Sequence, residues 1–347
     1  MEKHEFLLQW HVTAKCQQHC KHCYMYDEPT YANEIANELS FSECMGVLDS
    51  FEAFCNKMNV RGCLTLTGGD PLLRDDIFEI IASAKKRDFR VCILGNPFLT
   101  DDSMPTRLKE AGISHYQLSL DGMKEIHDQL RKPGSFDSTI HSIKRLKEEG
   151  ITVHIMNTLS RLNKQDLLPL MKLVGELGVD VFAFARITCN GSGKQFHDIN
   201  LDPLEYREIL AEVDKYSKEL NASGVKTIYA HKCHLWKLYQ YEEEHFSLLE
   251  DKETIFGGCS IGISGIVLLA DGTAMACRRF PSYVGNIKEK SIYDLFLSPE
   301  MNQYRQIQEM EKCSKCELVQ ICRGCPAASY GMHGRWTAPD PQCWKNT

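Results

Sequence analysis

Cys16-Gln17-Gln18-His19-Cys20-Lys21-His22-Cys23 follows directly on Leu7–Thr13, an apolar segment that reads as a buried strand. The three cysteines are spaced Cys-x3-Cys-x2-Cys, close enough for three thiolates to face one point. Three thiolates are one short of a closed four-ligand site. Structural zinc would take a fourth thiolate or imidazole, and His19 and His22 are at hand. A [4Fe–4S] cluster tolerates the shortage, because one iron can be left for an exogenous ligand. Cysteine runs are the usual iron–sulfur signature, although this spacing is neither of the ferredoxin spacings. Three incidental thiols in a cysteine-rich chain is the remaining reading.

Outward from this run the chain alternates strand and helix. Apolar runs at Val60–Thr67, Arg90–Leu94, His115–Leu120, Ile151–Asn157 and Val181–Arg186 predict five further buried strands. Helical patterns lie between them. The first opens at Ser40 with Glu43 three residues on, a capping box, and its apolar face is Phe41, Cys44, Met45, Leu48, Phe51 and Cys55. Others fit Asp75–Lys86, Ser103–Ala111, Phe136–Glu149 and Lys164–Leu177, with Gly112, Gly150 and Gly178 where helix C-caps belong. Six β–α units imply a parallel sheet with right-handed crossovers. Six are too few for an eight-fold barrel, so the predicted fold class is α/β, a partial (β/α)6 barrel over residues 1–190. Sites in such folds collect at the carboxyl ends of the strands, where Cys16–Cys23 stands.

Asp202-Pro203 then starts an amphipathic helix with Tyr206, Ile209, Leu210, Val213, Tyr216 and Leu220 on its apolar face. Residues 191–256 read as a helical connector, with Glu242-Glu243-Glu244 as a solvated face. From Gly257 to the end, 257–347, the chain becomes a small Cys-rich domain of hairpins and loops.

The 347 residues carry a formal charge of −7, with no Lys/Arg run, which argues against nucleic acid or an anionic membrane as partner. No signal peptide is visible and no apolar run approaches membrane-spanning length, so a cytoplasmic protein is expected. The 16 cysteines are far more than a large chain in a reducing cytosol has use for as disulfides. Clustered cysteines in such a chain point to metal.

Two more motifs stand at strand ends. After the second strand comes Thr67-Gly68-Gly69-Asp70-Pro71-Leu72, whose glycines permit close backbone approach and whose carboxylate can pair with an ammonium. The fourth strand ends in Ser119-Leu120-Asp121-Gly122, followed by His127-Asp128-Gln129-Leu130-Arg131. With the Cys-x3-Cys-x2-Cys run, these resemble the motifs of the radical S-adenosylmethionine (SAM) enzymes. The resemblance implies that Cys16, Cys20 and Cys23 hold a [4Fe–4S] cluster whose open iron is chelated by the methionine part of SAM. It implies that Gly68, Gly69 and Asp70 hold the methionine amino group; here the acid is Asp where the family has Glu, with a one-carbon shorter reach. Ser119 and Arg131 are expected to contact SAM, Arg131 through the methionine carboxylate, unless it pairs with Asp128 at the surface. His22 takes the place of an aromatic residue beside the adenine. Asn157 and Arg186, at the fifth and sixth strand ends, are further SAM-pocket candidates, or capped polar residues.

The tail reads Cys259-x12-Gly272-x4-Cys277, a gap, Cys313-x2-Cys316-x5-Cys322-x2-Cys325, a gap, and Cys343. Two short strands about Asp271-Gly272 bring Cys259 and Cys277 into one neighbourhood. Paired CxxC runs also fit a four-Cys zinc site. The seven cysteines together resemble the SPASM domain, which binds two auxiliary [4Fe–4S] clusters. The resemblance assigns Cys259, Cys277 and Cys325 to auxiliary cluster I, and Cys313, Cys316, Cys322 and Cys343 to auxiliary cluster II, three clusters in all. Cys322-Arg323-Gly324-Cys325 is one residue shorter than the usual last spacing, which bears on which cluster Cys325 serves. No cysteine between Cys259 and Cys277 closes cluster I, which leaves an open iron or a fourth ligand such as Cys233. Cys44, Cys55, Cys63 and Cys92 read as small core residues, and Cys189 lies near the expected pocket.

The family's chemistry is reductive cleavage of SAM to a 5′-deoxyadenosyl radical that abstracts a substrate hydrogen. SPASM proteins largely act on peptides or proteins, so the expected substrate is a ribosomally made, Cys-containing peptide that gains a thioether cross-link. A formylglycine-generating sulfatase maturase, a peptide epimerase, a carbon–carbon cross-linking maturase and a haem-pathway decarboxylase are the enzyme alternatives. A zinc-binding scaffold is the non-enzyme one. An electron donor such as flavodoxin or ferredoxin is expected. Cys16 comes too early to leave room for a leader-binding domain ahead of the barrel, so a separate leader-peptide-recognition protein or direct leader binding is expected too.

Overall fold

β1 (Glu5–Thr13), β2 (Arg61–Gly68), β3 (Arg90–Leu94), β4 (His115–Ser119), β5 (Val153–Leu159) and β6 (Val181–Arg186) pair in parallel, each with its sequence neighbour. Parallel neighbours need crossovers, and helices supply them. α1 (Glu28–Ala36) and α2 (Phe41–Met58) join β1 to β2, and α3 (Ile77–Lys86) joins β2 to β3. α4 (Met104–Glu110) precedes β4, α5 (Lys124–Leu130) and α6 (Ser135–Glu148) precede β5, and α7 (Leu167–Glu176) precedes β6. The computed structural model describes residues 3–26, 28–100, 103–250, 255 and 257–346. Residues 1–2, most of 251–256 and 347, parts of the expected domain stretches, lie outside the described residues.

The sheet extends past the six units on both sides. β7 (Ile228–Ala230), from the stretch read as connector, pairs in parallel with β6. β8 (Gly265–Leu268) pairs in parallel with β1, and β9 (Thr273–Met275) and β10 (Tyr283–Asn286) continue antiparallel. The ten strands run β10-β9-β8-β1-β2-β3-β4-β5-β6-β7. The Asp271-Gly272 turn, with Gly272 at φ +87°, joins β8 to β9 as expected, and the Cys-rich tail is therefore built onto the first strand of the array.

Strand alternation divides core from site. Phe6, Leu8, Trp10 and Val12 of β1 are buried under the helices; each such side chain contributes roughly 1.5–3 kcal/mol. Leu7 and Gln9 between them line a cavity on the other face. α2 opens with the Ser40–Glu43 capping box and buries Cys44, Val47, Leu48, Phe51, Phe54 and Cys55. Phe41, expected on that face, is exposed. Gly112, Gly150 and Gly178 take φ of +71°, +73° and +67° just past α4, α6 and α7, as C-cap glycines do.

α8 (Pro203–Ala222) starts on an Asp202–Glu205 capping box and buries Tyr206, Ile209, Leu210 and Val213. α9 (Leu235–Glu244) carries the three glutamates. Glu242 departs from the expected solvated face: it accepts hydrogen bonds from Arg207 Nε at 2.9 Å and Trp344 Nε1 at 2.8 Å. α10 (Ile292–Phe296), α11 (Pro299–Asn302) and α12 (Pro326–His333) complete the tail. No helix among the described residues is long and apolar enough to cross a membrane.

Candidate active site

The site lies where β1 and β2 end. Gly68 and Gly69 let the end of β2 lie against the chain leaving β1. A Cβ at Gly68, which has φ +143°, would stand 2.0 Å from Thr13 O, and one at Gly69 would stand 2.0 Å from Lys15 O. Gly69 N donates to Thr13 O at 2.9 Å and Asp70 N to Lys15 O at 2.8 Å. The glycines thus pin the Cys16 loop to the second strand end, and both line the cavity.

That cavity, of about 500 Å³, brings two cysteine triads together: Cys16, Cys20 and Cys23 from the first run, and Cys259, Cys277 and Cys325 from the tail. The other four tail cysteines, Cys313, Cys316, Cys322 and Cys343, line a separate pocket of about 30 Å³ with Asp340. The shortened Cys322–Cys325 spacer still sends its two thiols to different cavities. Gly324 turns the chain at φ +62°, and Arg323 between them is buried and donates to Cys259 O. Cys325 N donates to Asp340 Oδ2 at 2.8 Å.

Sulfur in the first triad is already hydrogen-bonded. Cys16 Sγ accepts from Asn96 Nδ2 and from Gln18 N, both at 3.4 Å, and Cys20 Sγ accepts from Arg131 Nη1 at 3.5 Å. Burial pushes the Cys20 thiol up to about 12, against the pull of Arg131, and raises Cys23 as well. Deprotonated sulfur here therefore needs a cation, which a bound metal provides. In the second triad Arg279 Nη2 donates to Cys325 Sγ at 3.2 Å. Among the described residues no three His, Cys, Asp or Glu side chains converge closely enough to hold a single metal ion. Three thiols lining one cavity, with donors aimed at the sulfurs, suit the ligands of an iron–sulfur cluster.

The other expected SAM residues divide. His22, Ser119, Arg131 and Arg186 line the cavity; Asp70 and Asn157 do not. Asp70 is fully buried and turned back as a cap, accepting from Leu72 N at 3.2 Å and facing Gln17 Nε2 at 3.4 Å. Burial raises its pKa to about 6. The carboxylate also lies against Gly95, where an added Cβ would stand 3.3 Å from Asp70 Oδ1. Strand alternation separates Asn157 from its neighbours: Met156 and Thr158 line the cavity, while Asn157 is buried and donates to Leu120 O at 2.9 Å. Arg186 reaches the cavity wall with its guanidinium already bound to both oxygens of Asp340, at 2.6 and 2.8 Å, and to Gln342.

Arg131 does not pair with Asp128, which instead accepts from Gly134 N and Phe136 N. Its partner is Asp121, at 2.6 Å from Nε, and Asp121 also meets His22 Nε2 at 3.1 Å and accepts from Thr158 N at 2.8 Å. Burial works to raise the Asp121 pKa, but Arg131 and His22 outweigh it and hold the carboxyl well below the usual range. Asp121 and Asn96 are the supporting residues that sequence reasoning passed over. The Ser-Leu-Asp-Gly motif contained the first, and the second had only its place just after β3 as a signal. Cys189 does not line the cavity, whereas Cys233 does.

Residues 10–174 match the Radical SAM superfamily, and residues 259–326 match SPASM, an iron-sulfur cluster-binding domain. The AdoMet-dependent heme synthase of Oleidesulfovibrio alaskensis is 26% identical over 97% of this chain and 86% of its own length. The PqqA peptide cyclase of Granulibacter bethesdensis is 23% identical over 96% of this chain and 85% of its own. Streptococcus suis SuiB bound to S-adenosylmethionine has the same fold, with TM-score 0.77 and 18% identity over 99% of this chain and 78% of SuiB.

Proposed function

Because this chain is a radical SAM enzyme with a C-terminal SPASM domain, we propose that it matures a ribosomally made, Cys-containing peptide by forming a thioether cross-link. One observation carries the reading: both cysteine triads line one cavity, so a substrate lying there meets both. In this reading Cys16, Cys20 and Cys23 hold the SAM cluster, Cys259, Cys277 and Cys325 hold auxiliary cluster I, and Cys313, Cys316, Cys322 and Cys343 hold auxiliary cluster II. When bound, SAM and a reduced [4Fe–4S] cluster supply a 5′-deoxyadenosyl radical able to take hydrogen from an unactivated C–H.

The chain's own residues do the positioning. Arg131, fixed by Asp121, offers Cys20 a donor and a carboxylate a guanidinium. Ser119 and the Gly68–Gly69 backbone line the SAM side of the cavity. Asp70, next in sequence to the glycines, contributes through the loop it caps. The β-strand ends and the tail exclude bulk water around the reacting carbon. In this reading Cys233, which lines the same cavity, is not a ligand, and the three-cysteine set at cluster I leaves a place for a peptide thiolate.

A second reading is decarboxylation in a haem pathway. It is favoured by the likeness to AdoMet-dependent heme synthase along nearly the whole chain. One experiment separates the two. Anaerobically loaded protein is given SAM and reductant with either a Cys-containing precursor peptide or iron coproporphyrin III. Peptide maturation predicts 5′-deoxyadenosine and a peptide lighter by two hydrogens; an unchanged peptide beside a porphyrin that loses carbon dioxide overturns it.

A further inference from the structure

Not every cation on the cavity wall has a carboxylate partner. Lys232, Arg278 and Arg279 line it, and among the described residues none of them forms an ion pair. Arg279 is partly met by sulfur, at Cys325. Arg278 donates from Nε to His11 Nε2 at 2.8 Å, and the Glu34 carboxylate acts on it. Lys232, just after β7, has no side-chain hydrogen bond or ion pair among the described residues, and the like charge of Arg279 acts on it. The Lys232 side chain is exposed on the cavity wall, where a ligand can reach it. An anion between Lys232 and Arg279 would answer both charges.

We propose that Lys232, with Arg279, binds a carboxylate of the substrate on the auxiliary-triad side of the cavity. This rests on the cavity being the substrate site, as read above, and names the substrate class: a molecule with an acidic group near its reacting carbon. An Asp or Glu side chain of a peptide and a porphyrin propionate share that chemistry. Lys232 is then a specificity-determining residue. Arg279 serves the sulfur and the substrate together.

The test is equilibrium binding to the fully loaded, SAM-bound protein. One probe pair is a short Cys-containing peptide with Glu and its Glu→Gln form. The other is coproporphyrin III and its tetramethyl ester. The free-acid member of one pair is expected to bind about tenfold or more tighter than its neutral form, and which pair responds identifies the source. Lys232→Gln should abolish that preference, and Lys232→Arg should retain it, with iron content and SAM affinity unchanged in both. Equal binding of acid and neutral forms in both pairs overturns the proposal, as does a preference that survives Lys232→Gln. Loss of iron or of SAM binding in Lys232→Gln also overturns it, assigning the lysine to a cofactor. Acid binding without any 5′-deoxyadenosine formation would leave this proposal standing and sink the maturase reading instead.

Discussion

Asp121 and Asp70 are both fully buried carboxylates at strand ends, and their surroundings push them in opposite directions. Asp121 is held ionised by Arg131 and His22. Asp121→Asn keeps the shape and removes the charge that Arg131 needs, so it should cost about 3–5 kcal/mol in denaturant unfolding. It should also weaken SAM binding, while an unchanged stability would contradict the pairing. Because its folded pKa is depressed, the stability from Asp121 is present above pH ~4 and is lost as pH falls below that. Asp70 has a folded pKa raised to about 6, from burial. Its contribution is therefore fully present below pH ~4 and is lost as pH rises through 6. Asp70→Asn should flatten the pH dependence of unfolding between pH 4 and 6 and leave the metal-free protein about 3 kcal/mol more stable at pH 7. A pH profile identical to wild type would contradict the buried placement. Both aspartates stand in motifs that were legible in the sequence. Which way each carboxylate points was not, because that depends on partners, Gln17 and His22, on a different loop.

At the scale of elements, β1 to β6 were readable because each is a buried apolar run bounded by helix caps. The short elements were not. α1 and α5 have few apolar positions to show a period. β7 and β8, of three and four residues, acquire their strand character by pairing with β6 and β1, far away in sequence. The buried Arg186–Asp340 pair joins the end of β6 to the loop bearing Cys325, and it too is invisible at a separation of 154 residues. Asp340→Asn should destabilise the protein by about 3–5 kcal/mol and reduce iron loading, with the Cys16–Cys23 cluster signal kept. Full loading in that variant would show that the pair does not position Cys325. Gly324→Ala places a Cβ 2.8 Å from Asp340 Cβ at a left-handed φ. It should cost at least about 1–2 kcal/mol and act on the same loop.

For the whole molecule, the resemblance to the radical SAM and SPASM motifs sorted ten ligand candidates into three sets; in the structure the first two sets line one cavity and the third lines a separate pocket. What spacing could not give is that the first and second groups face each other. That follows from β8 pairing with β1, which carries the tail to the strand ends where the first run begins. The central claim is a division of labour across this cavity, one triad initiating and the other receiving the substrate. The most direct test replaces Cys259, Cys277 and Cys325 with Ala together and measures iron, 5′-deoxyadenosine and the peptide product. The account predicts about two of three clusters retained by ligand count, SAM still cleaved, and no thioether formed. A thioether formed without that triad, or SAM cleavage lost along with it, would contradict the account.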